Sequence, residues 1–192
     1  MEPMGNAGLF LVELIFSFLI FAFVARMILR FFYVSGYNPV INFIAAFTTP
    51  VTRPLMTILP DLGRIDLAAL VIAFGLQIAN VWVLLLLLGK SFTVVGLMVL
   101  ASAKLLNTIT DILFFAIIIQ VILSWVSTPS NPNPLAQLIY QIVEPLLAPF
   151  RRLIPMIGGL DLSPIAALAA IKLFEILAIG PLNGLAVQMM FS

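Results

Sequence analysis

Four stretches of this chain run for about 20 residues or more with almost no charge, and no other feature restricts its fold so severely. A helix needs about 20 apolar residues to cross the roughly 30 Å hydrocarbon core of a bilayer. The first run covers about Leu9–Phe32, with Glu13 its only charge before Arg26. The second extends from about Asp66 to Gly89 and includes the block Leu84–Leu88. The third and longest, about Phe92–Val126, reads as a short lead-in joined to a span near Ala103–Val126. The fourth covers about Leu162–Met190, with Gly180-Pro181 placed to kink or end it. With 63% hydrophobic and 9% charged residues, the chain departs far from the roughly 45–50% and 25% of soluble domains. A water-soluble fold of 192 residues has no interior that could hide so much apolar surface. The expected fold is therefore all-α and polytopic, with four transmembrane helices. Glu2 stands where a signal peptide would carry basic charge, and the first run is too long for a signal-peptide core, so it is expected to stay as an anchor.

The chain also repeats itself. A gapless shift of 95 residues carries Asn38-Pro39 onto Asn133-Pro134, Ile44 onto Ile139 and Pro50 onto Pro145. It carries Pro54 onto Pro149, Pro60 onto Pro155, Gly63 onto Gly158 and Asp66-Leu67 onto Asp161-Leu162. Prolines in register with Asn, Gly and Asp indicate a duplicated structural unit. The first repeat is assigned to residues 1–90, with spans at about 9–32 and 66–89 around a motif loop at 36–66. The second is assigned to residues 91–192, with spans at about 103–126 and 162–190 around a motif loop at 128–161.

Each motif loop reads the same way. Asn38 and Asn133 are good N-caps, each followed by a proline at the first helical position, where a missing N–H costs nothing. Leu135, Leu138, Ile139, Ile142 and Val143 then form a one-sided apolar stripe, and Val40, Phe43, Ile44 and Phe47 take the matching places. Gln137, Gln141 and Glu144 fall off that stripe. Pro50 and Pro145 are expected to stop these short helices, which would lie in the interface or re-enter it shallowly. Turn-rich connectors follow, and Asp66 and Asp161 sit where the next span begins, able to cap its free N–H groups and oppose its positive end. Two spans per unit give both copies the same orientation, unlike an inverted repeat. Arg26, Arg30, Arg53, Arg64, Arg151 and Arg152 flank or occupy the motif loops, whereas only Lys90 and Lys104 are available to the other side. The positive-inside rule then puts both motif loops in the cytoplasm and both termini outside.

Chemistry-bearing residues are sparse. The chain has no Cys, hence no disulfide or thiol chemistry, and no His, the commonest general base and metal ligand. No nucleophile elbow, phosphate loop or metal-ligand spacing occurs, so neither an enzyme nor a cofactor is expected. A net charge of +1 without a basic tract gives no reason to expect nucleic acid as a partner. Trp82, Trp125, Tyr33, Tyr37 and Tyr140 suit interfacial or packing roles. Within the spans, Gln77 and Asn80 map by the same shift onto Lys172 and Glu175, and each i, i+3 pair shares a helix face. Helix rise places Glu175 and Asp111 each roughly 21–22 Å from the loop side, with Glu13 somewhat deeper. A polar layer of Asp111, Lys172, Glu175, Gln77 and Asn80 is then either an ion or proton relay, a site for a client helix, or internal pairing that holds the bundle together.

Two copies of Asn-Pro, Pro-x3-Pro, a basic residue or two, and Ile/Leu-Pro-x2-Gly-x2-Asp resemble the YggT family of small bacterial membrane proteins. Pro149-Phe150-Arg151-Arg152-Leu153-Ile154-Pro155, with Gly158-Gly159-Leu160-Asp161-Leu162-Ser163-Pro164, is an especially close match. The first copy departs from it: Met56 and Thr57 replace Arg151 and Arg152, and Arg53 replaces Ala148. The resemblance implies a bacterial inner-membrane protein. Chloroplast relatives look like assembly factors for haem attachment to a b-type cytochrome; bacterial members are linked to osmotic tolerance, ion uptake and envelope organisation. Without His or Cys, direct haem storage is not expected. The expected function is a non-enzymatic scaffold or assembly factor whose motif loops dock a protein or lipid partner, with Arg53, Arg151 and Arg152 as contacts. The alternative is ion flux through the polar layer. Self-association is a further expectation, although the spans contain no strict Gly-x3-Gly motif.

Overall fold

The computed structural model describes residues 3–34, 38–60, 62–126, 133–154 and 161–191. Their order is α1 (Pro3–Phe31), α2 (Pro39–Met56), α3 (Leu67–Leu87), α4 (Val94–Val126), α5 (Pro134–Leu153), α6 (Ser163–Phe174), a π-helical turn (Glu175–Ile179) and α7 (Gly180–Phe191). Four helical segments are long and apolar enough to cross a membrane: Ala7–Phe31, Leu67–Leu87, Val94–Trp125 and Ser163–Met190. The chain is a polytopic helical membrane protein made of two parallel units, each with an amphipathic helix between its spans.

α1 packs against α3, α3 against α4, and α4 against α6 and α7, while α2 lies on α1 and α3 and α5 on α4 and α6. Small residues permit these close approaches: Ala69 and Ala73 on α3, Ala101 and Ala103 on α4, and Ala186 on α7 are almost wholly buried. Both motif helices sit at the same end of the bundle. There Asn38 Nδ2 donates to the Pro134 carbonyl at 2.6 Å, joining the starts of α2 and α5. A shared core of Ile28, Leu29, Ala69, Leu138, Ile139, Ile142 and Val143 lies beneath them. A smaller cluster of Val81, Leu85, Leu97 and Met190 closes the opposite end. Gly96 touches α7 so closely that a Cβ there would lie 2.6 Å from the Met190 nitrogen. Thr93 fixes that crossing by donating its N–H to the Met190 carbonyl at 3.3 Å and its hydroxyl to the Met189 carbonyl.

Three local expectations are corrected. Pro50 and Pro145 do not stop their helices; α2 continues to Met56 and α5 to Leu153, through Pro54 and Pro149 as well. Each pair of prolines is spaced by four, so the missing bonds fall on one face. All four rings are exposed, which leaves the orphaned carbonyls outside the core. The third apolar run is one unbroken 33-residue helix, with no separate lead-in. Gly180-Pro181 neither ends nor sharply breaks the fourth span. The preceding π-helical turn lets the Gly180 N–H reach the Glu175 carbonyl, so the ladder passes the proline with one residue to spare.

The first unit is tied together by an arginine inside the bundle. Asp66 caps α3, accepting from the Ala69 N–H at 3.0 Å, and is 1% exposed. Arg26 on α1 donates its Nε to Asp66 Oδ2 at 2.9 Å and its Nη1 to Thr48 and Thr49 on α2, at 3.1 and 2.9 Å. One guanidinium therefore fastens three helices. Arg30, a turn further on, donates its Nε to the Gly63 carbonyl at 3.0 Å in the connector. Gly63 adopts φ +66, a left-handed geometry that glycine reaches without strain. Removing one partner of a buried pair costs about 3–5 kcal/mol when the other charge is left alone, and Arg30 Nη1, 3.9 Å from Asp66 Oδ2, offsets part of that loss here. Arg26→Met should therefore lower the thermal stability of the detergent-solubilised protein sharply. Adding Asp66→Asn, which keeps a good cap, should recover a large part of the loss; no recovery would mean that the pair is not the anchor.

Candidate functional site

Two regions concentrate polar chemistry. The first is the outer surface of the motif helices. In the second unit Arg151 sits near the end of α5 and donates its Nε to Asp161 Oδ2 at 2.9 Å. Its Nη1 donates to both oxygens of Glu144, at 2.6 and 2.5 Å. By the repeat register, Met56 and Thr49 occupy the places of Arg151 and Glu144, while Val121, Val143 and Leu147 take those of Arg26, Thr48 and Thr52. Both units give the aspartate before the second span an arginine. The first supplies it from a membrane span in a buried knot, the second from its own motif helix at the surface.

The caps differ for a related reason. The register places Pro164 opposite Ala69, and a proline has no N–H for an aspartate to accept from. Asp161 accepts instead from the Ser163 N–H at 2.9 Å, and α6 begins later. Partial burial pushes the Asp161 carboxyl up, but bonds from Ser163 and the Arg151 guanidinium outweigh it and hold the group below its ordinary value. For Arg151 burial opposes the charge, and its two carboxylate partners outweigh that, so it stays cationic.

Arg152 and Arg53 are exposed and in no ion pair among the described residues. Arg64 lies over the Tyr33 ring at 5.2 Å. Asn38 and Asn133 cap α2 and α5 through the N–H groups of Val40 and Leu135, at 2.9 Å each, ahead of Pro39 and Pro134. Pro60 is exposed, whereas Pro155 and Gly158 fall outside the described residues.

The second region is a cavity of about 770 Å³ between the two units, lined by α1, α3, α4 and both motif helices. Its motif end is apolar, with Ile28, Leu29, Val40, Ile44, Ile139 and Ile142. Farther in, Glu13 and Ser17 from α1 and Gln77 and Asn80 from α3 meet Lys104, Asn107, Thr108 and Asp111 from α4. Gln77 and Asn80 are each 4% exposed, and Asn80 Oδ1 is buried with no hydrogen-bond partner.

The single polar layer is divided by the structure. Lys172 and Glu175 do not line this cavity; they pair with each other at 2.7 Å, and Lys172 Nζ sits 4.5 Å from the centre of the Phe114 ring. Lys104, read as a flank of the far side, is ten residues into α4 and faces the cavity. With Asn107, Thr108 and Asp111 it forms an i, i+3, i+4, i+7 polar stripe. That pattern was available in the sequence and is the signal that would have found the site. No group of three or more Asp or Glu side chains suited to a metal ion occurs among the described residues.

The fold and the repeat define a small polytopic membrane protein built by tandem duplication. The CCB3/YggT family matches residues 5–87 and 99–182, one match for each unit. The chain belongs to that family. It is 40% identical to an uncharacterized protein of Pseudomonas aeruginosa, over 95% of this chain and 93% of the other. It is 34% identical to an uncharacterized protein from the proC 3′ region of Vibrio alginolyticus, over 92% and 97% of the two chains. It is 31% identical to the uncharacterized protein YggT of Escherichia coli K12, over 83% and 82%. No solved structure matches it.

A carboxyl held below its ordinary value stabilises the fold above the usual carboxylate range, and the contribution is lost as pH falls through the lowered value. Asp161→Asn should therefore be less stable than the parent near neutral pH, by about 1 kcal/mol or less for so exposed a pair. The gap should shrink as the pH falls below 3.8. Thermal unfolding in detergent at the two ends of that range checks this; a gap independent of pH would contradict it.

Proposed function

We propose that this protein is a non-enzymatic scaffold of the bacterial inner membrane whose motif face lies in the cytoplasm and docks a protein partner. The observation that carries this reading is the set of ties that hold that face together. α2 and α5 are joined at their starts by Asn38; α2 is held to α1 by bonds from Arg26 to Thr48 and Thr49, and α5 to the start of α6 by Arg151–Asp161. A surface held this firmly loses little entropy when it binds. The exposed Arg53 and Arg152 give it positive charge for an acidic partner or for anionic head groups, where each arginine is worth about 1 kcal/mol. Arg151 has a different role from its neighbour, since its Nε and Nη1 are engaged by Asp161 and Glu144. The excess of arginine at this end supports its cytoplasmic placement.

A photo-activated cross-linker at Leu153, which is 78% exposed, should capture a discrete protein in intact membranes. Arg53→Ala with Arg152→Ala should reduce that adduct about tenfold or more, the loss of two charges worth ~1 kcal/mol each. Lipid adducts alone, or a protein adduct indifferent to both arginines, would sink the docking reading.

A second reading, ion movement through the protein, is favoured by Glu13, Lys104 and Asp111 lining the inter-unit cavity. Charges inside the membrane commonly mark ion paths. If it is correct, purified protein in liposomes conducts K⁺, Na⁺ or H⁺, and Asp111→Asn abolishes the flux. Liposomes no leakier than protein-free ones would eliminate this reading.

A further inference from the structure

The inter-unit cavity presents its charges without neutralising them. Among the described residues, Glu13, Lys104 and Asp111 enter no ion pair, although all three line the same cavity. The charges at Lys172 and Glu175, at a matching depth, are by contrast paired directly. Charges within the membrane ordinarily find a partner, and a buried carbonyl oxygen without a donor is costly. Asn80 Oδ1 is such an oxygen, on a side chain 96% buried in the wall of this cavity and left without a donor. Three charged side chains without an ion-pair partner among the described residues therefore line one cavity.

The rest of the cavity restricts what the occupant is. Gln77 and Asn80 lie eleven and fourteen residues beyond Asp66, about 16 and 21 Å along α3 from the motif end. The space on the motif side of them is lined by Ile28, Leu29, Ile44, Ile139 and Ile142, with no charge. An occupant needs a polar head and a long apolar body. At about 770 Å³ the cavity has the size of small-molecule sites, about 300–1,000 Å³, so it takes the head and upper part of a lipid and leaves the rest of its acyl chains outside.

We propose that the cavity is a binding site for one phospholipid with a phosphoethanolamine head. Lys104 faces the lipid phosphate, and the head group's ammonium is shared between Glu13 and Asp111. A primary ammonium carries three N–H donors for these two carboxylates; a trimethylammonium carries none. One cation and two carboxylates complement a zwitterion better than an anionic head. The acyl portion lies along the apolar faces of α2 and α5. This site is separate from the docking face, because Arg53 and Arg152 do not line it.

Native mass spectrometry of the purified protein, equilibrated with equal amounts of phosphatidylethanolamine, phosphatidylcholine, phosphatidylglycerol and diacylglycerol, tests this directly. One phosphatidylethanolamine should remain bound, about tenfold in excess of each competitor, a preference of the size a charge-assisted hydrogen bond supplies. Asp111→Asn and Lys104→Gln should each erase that preference, and Asp111→Glu should restore part of it. Arg53→Ala with Arg152→Ala should leave it intact, so loss of docking and loss of lipid binding read out separately. Equal retention of diacylglycerol would reduce the cavity to a greasy crevice and overturn the proposal, as would no retained lipid. Should a variant fail to fold, the head-group preference of the parent protein decides alone. A cross-linker at Thr108 that captures protein instead of lipid would also overturn it.

Discussion

A carboxylate at the mouth of a membrane helix needs a cation, and the arrangement of both units depends on that need. Asp66 and Asp161 cap or adjoin the positive ends of the spans that follow them. Each then requires a counter-charge that stays in place. In the first unit that is Arg26, which reaches from α1 across to α2 and so makes the motif helix part of the bundle. In the second it is Arg151, which closes the motif helix onto the start of α6. The amphipathic helices are thereby fastened at their starts by asparagine caps and farther along by an arginine, through hydrogen bonds at Thr48 and Thr49 in α2 and through ion pairs of Arg151 in α5.

Much of this architecture could be read from the sequence. The four apolar runs mark the spans, because hydrocarbon tolerates almost nothing else for 20 residues. The 95-residue register marks the duplication. Prolines misled at Pro50 and Pro145, because the rule that proline ends a helix assumes that the orphaned carbonyl has nowhere to go. On a one-sided helix whose prolines all face outward, those carbonyls stay clear of the core. The two arginine anchors could not be read from the register, because they occupy non-equivalent positions. Val121 stands opposite Arg26 and Met56 opposite Arg151. Only the fold shows that both answer the same carboxylate.

The cavity illustrates a different limit. Depth alone grouped Asp111 with Lys172 and Glu175, since helix rise gives a height but no azimuth. The structure separates them by direction: the pair on α3 turns into the space between the units, while its counterpart meets Phe114. Lys104 went unnoticed because it was counted as a topological charge and not followed along its helix. Its stripe with Asn107, Thr108 and Asp111 has the helical period that identifies a polar face in an otherwise apolar segment.

The π-helical turn at Glu175–Ile179 bears on how far the two halves are still alike. An extra residue in the ladder turns everything beyond it by about 100° relative to an unbroken helix. By the repeat register α3 ends opposite Leu182, so most of α7 extends beyond it, and in that setting Met190 fits against Gly96. The halves have lost their interchangeability. Two copies of the first would lack the twist that seats the last helix, so the duplication is now a division of labour that neither half can reverse.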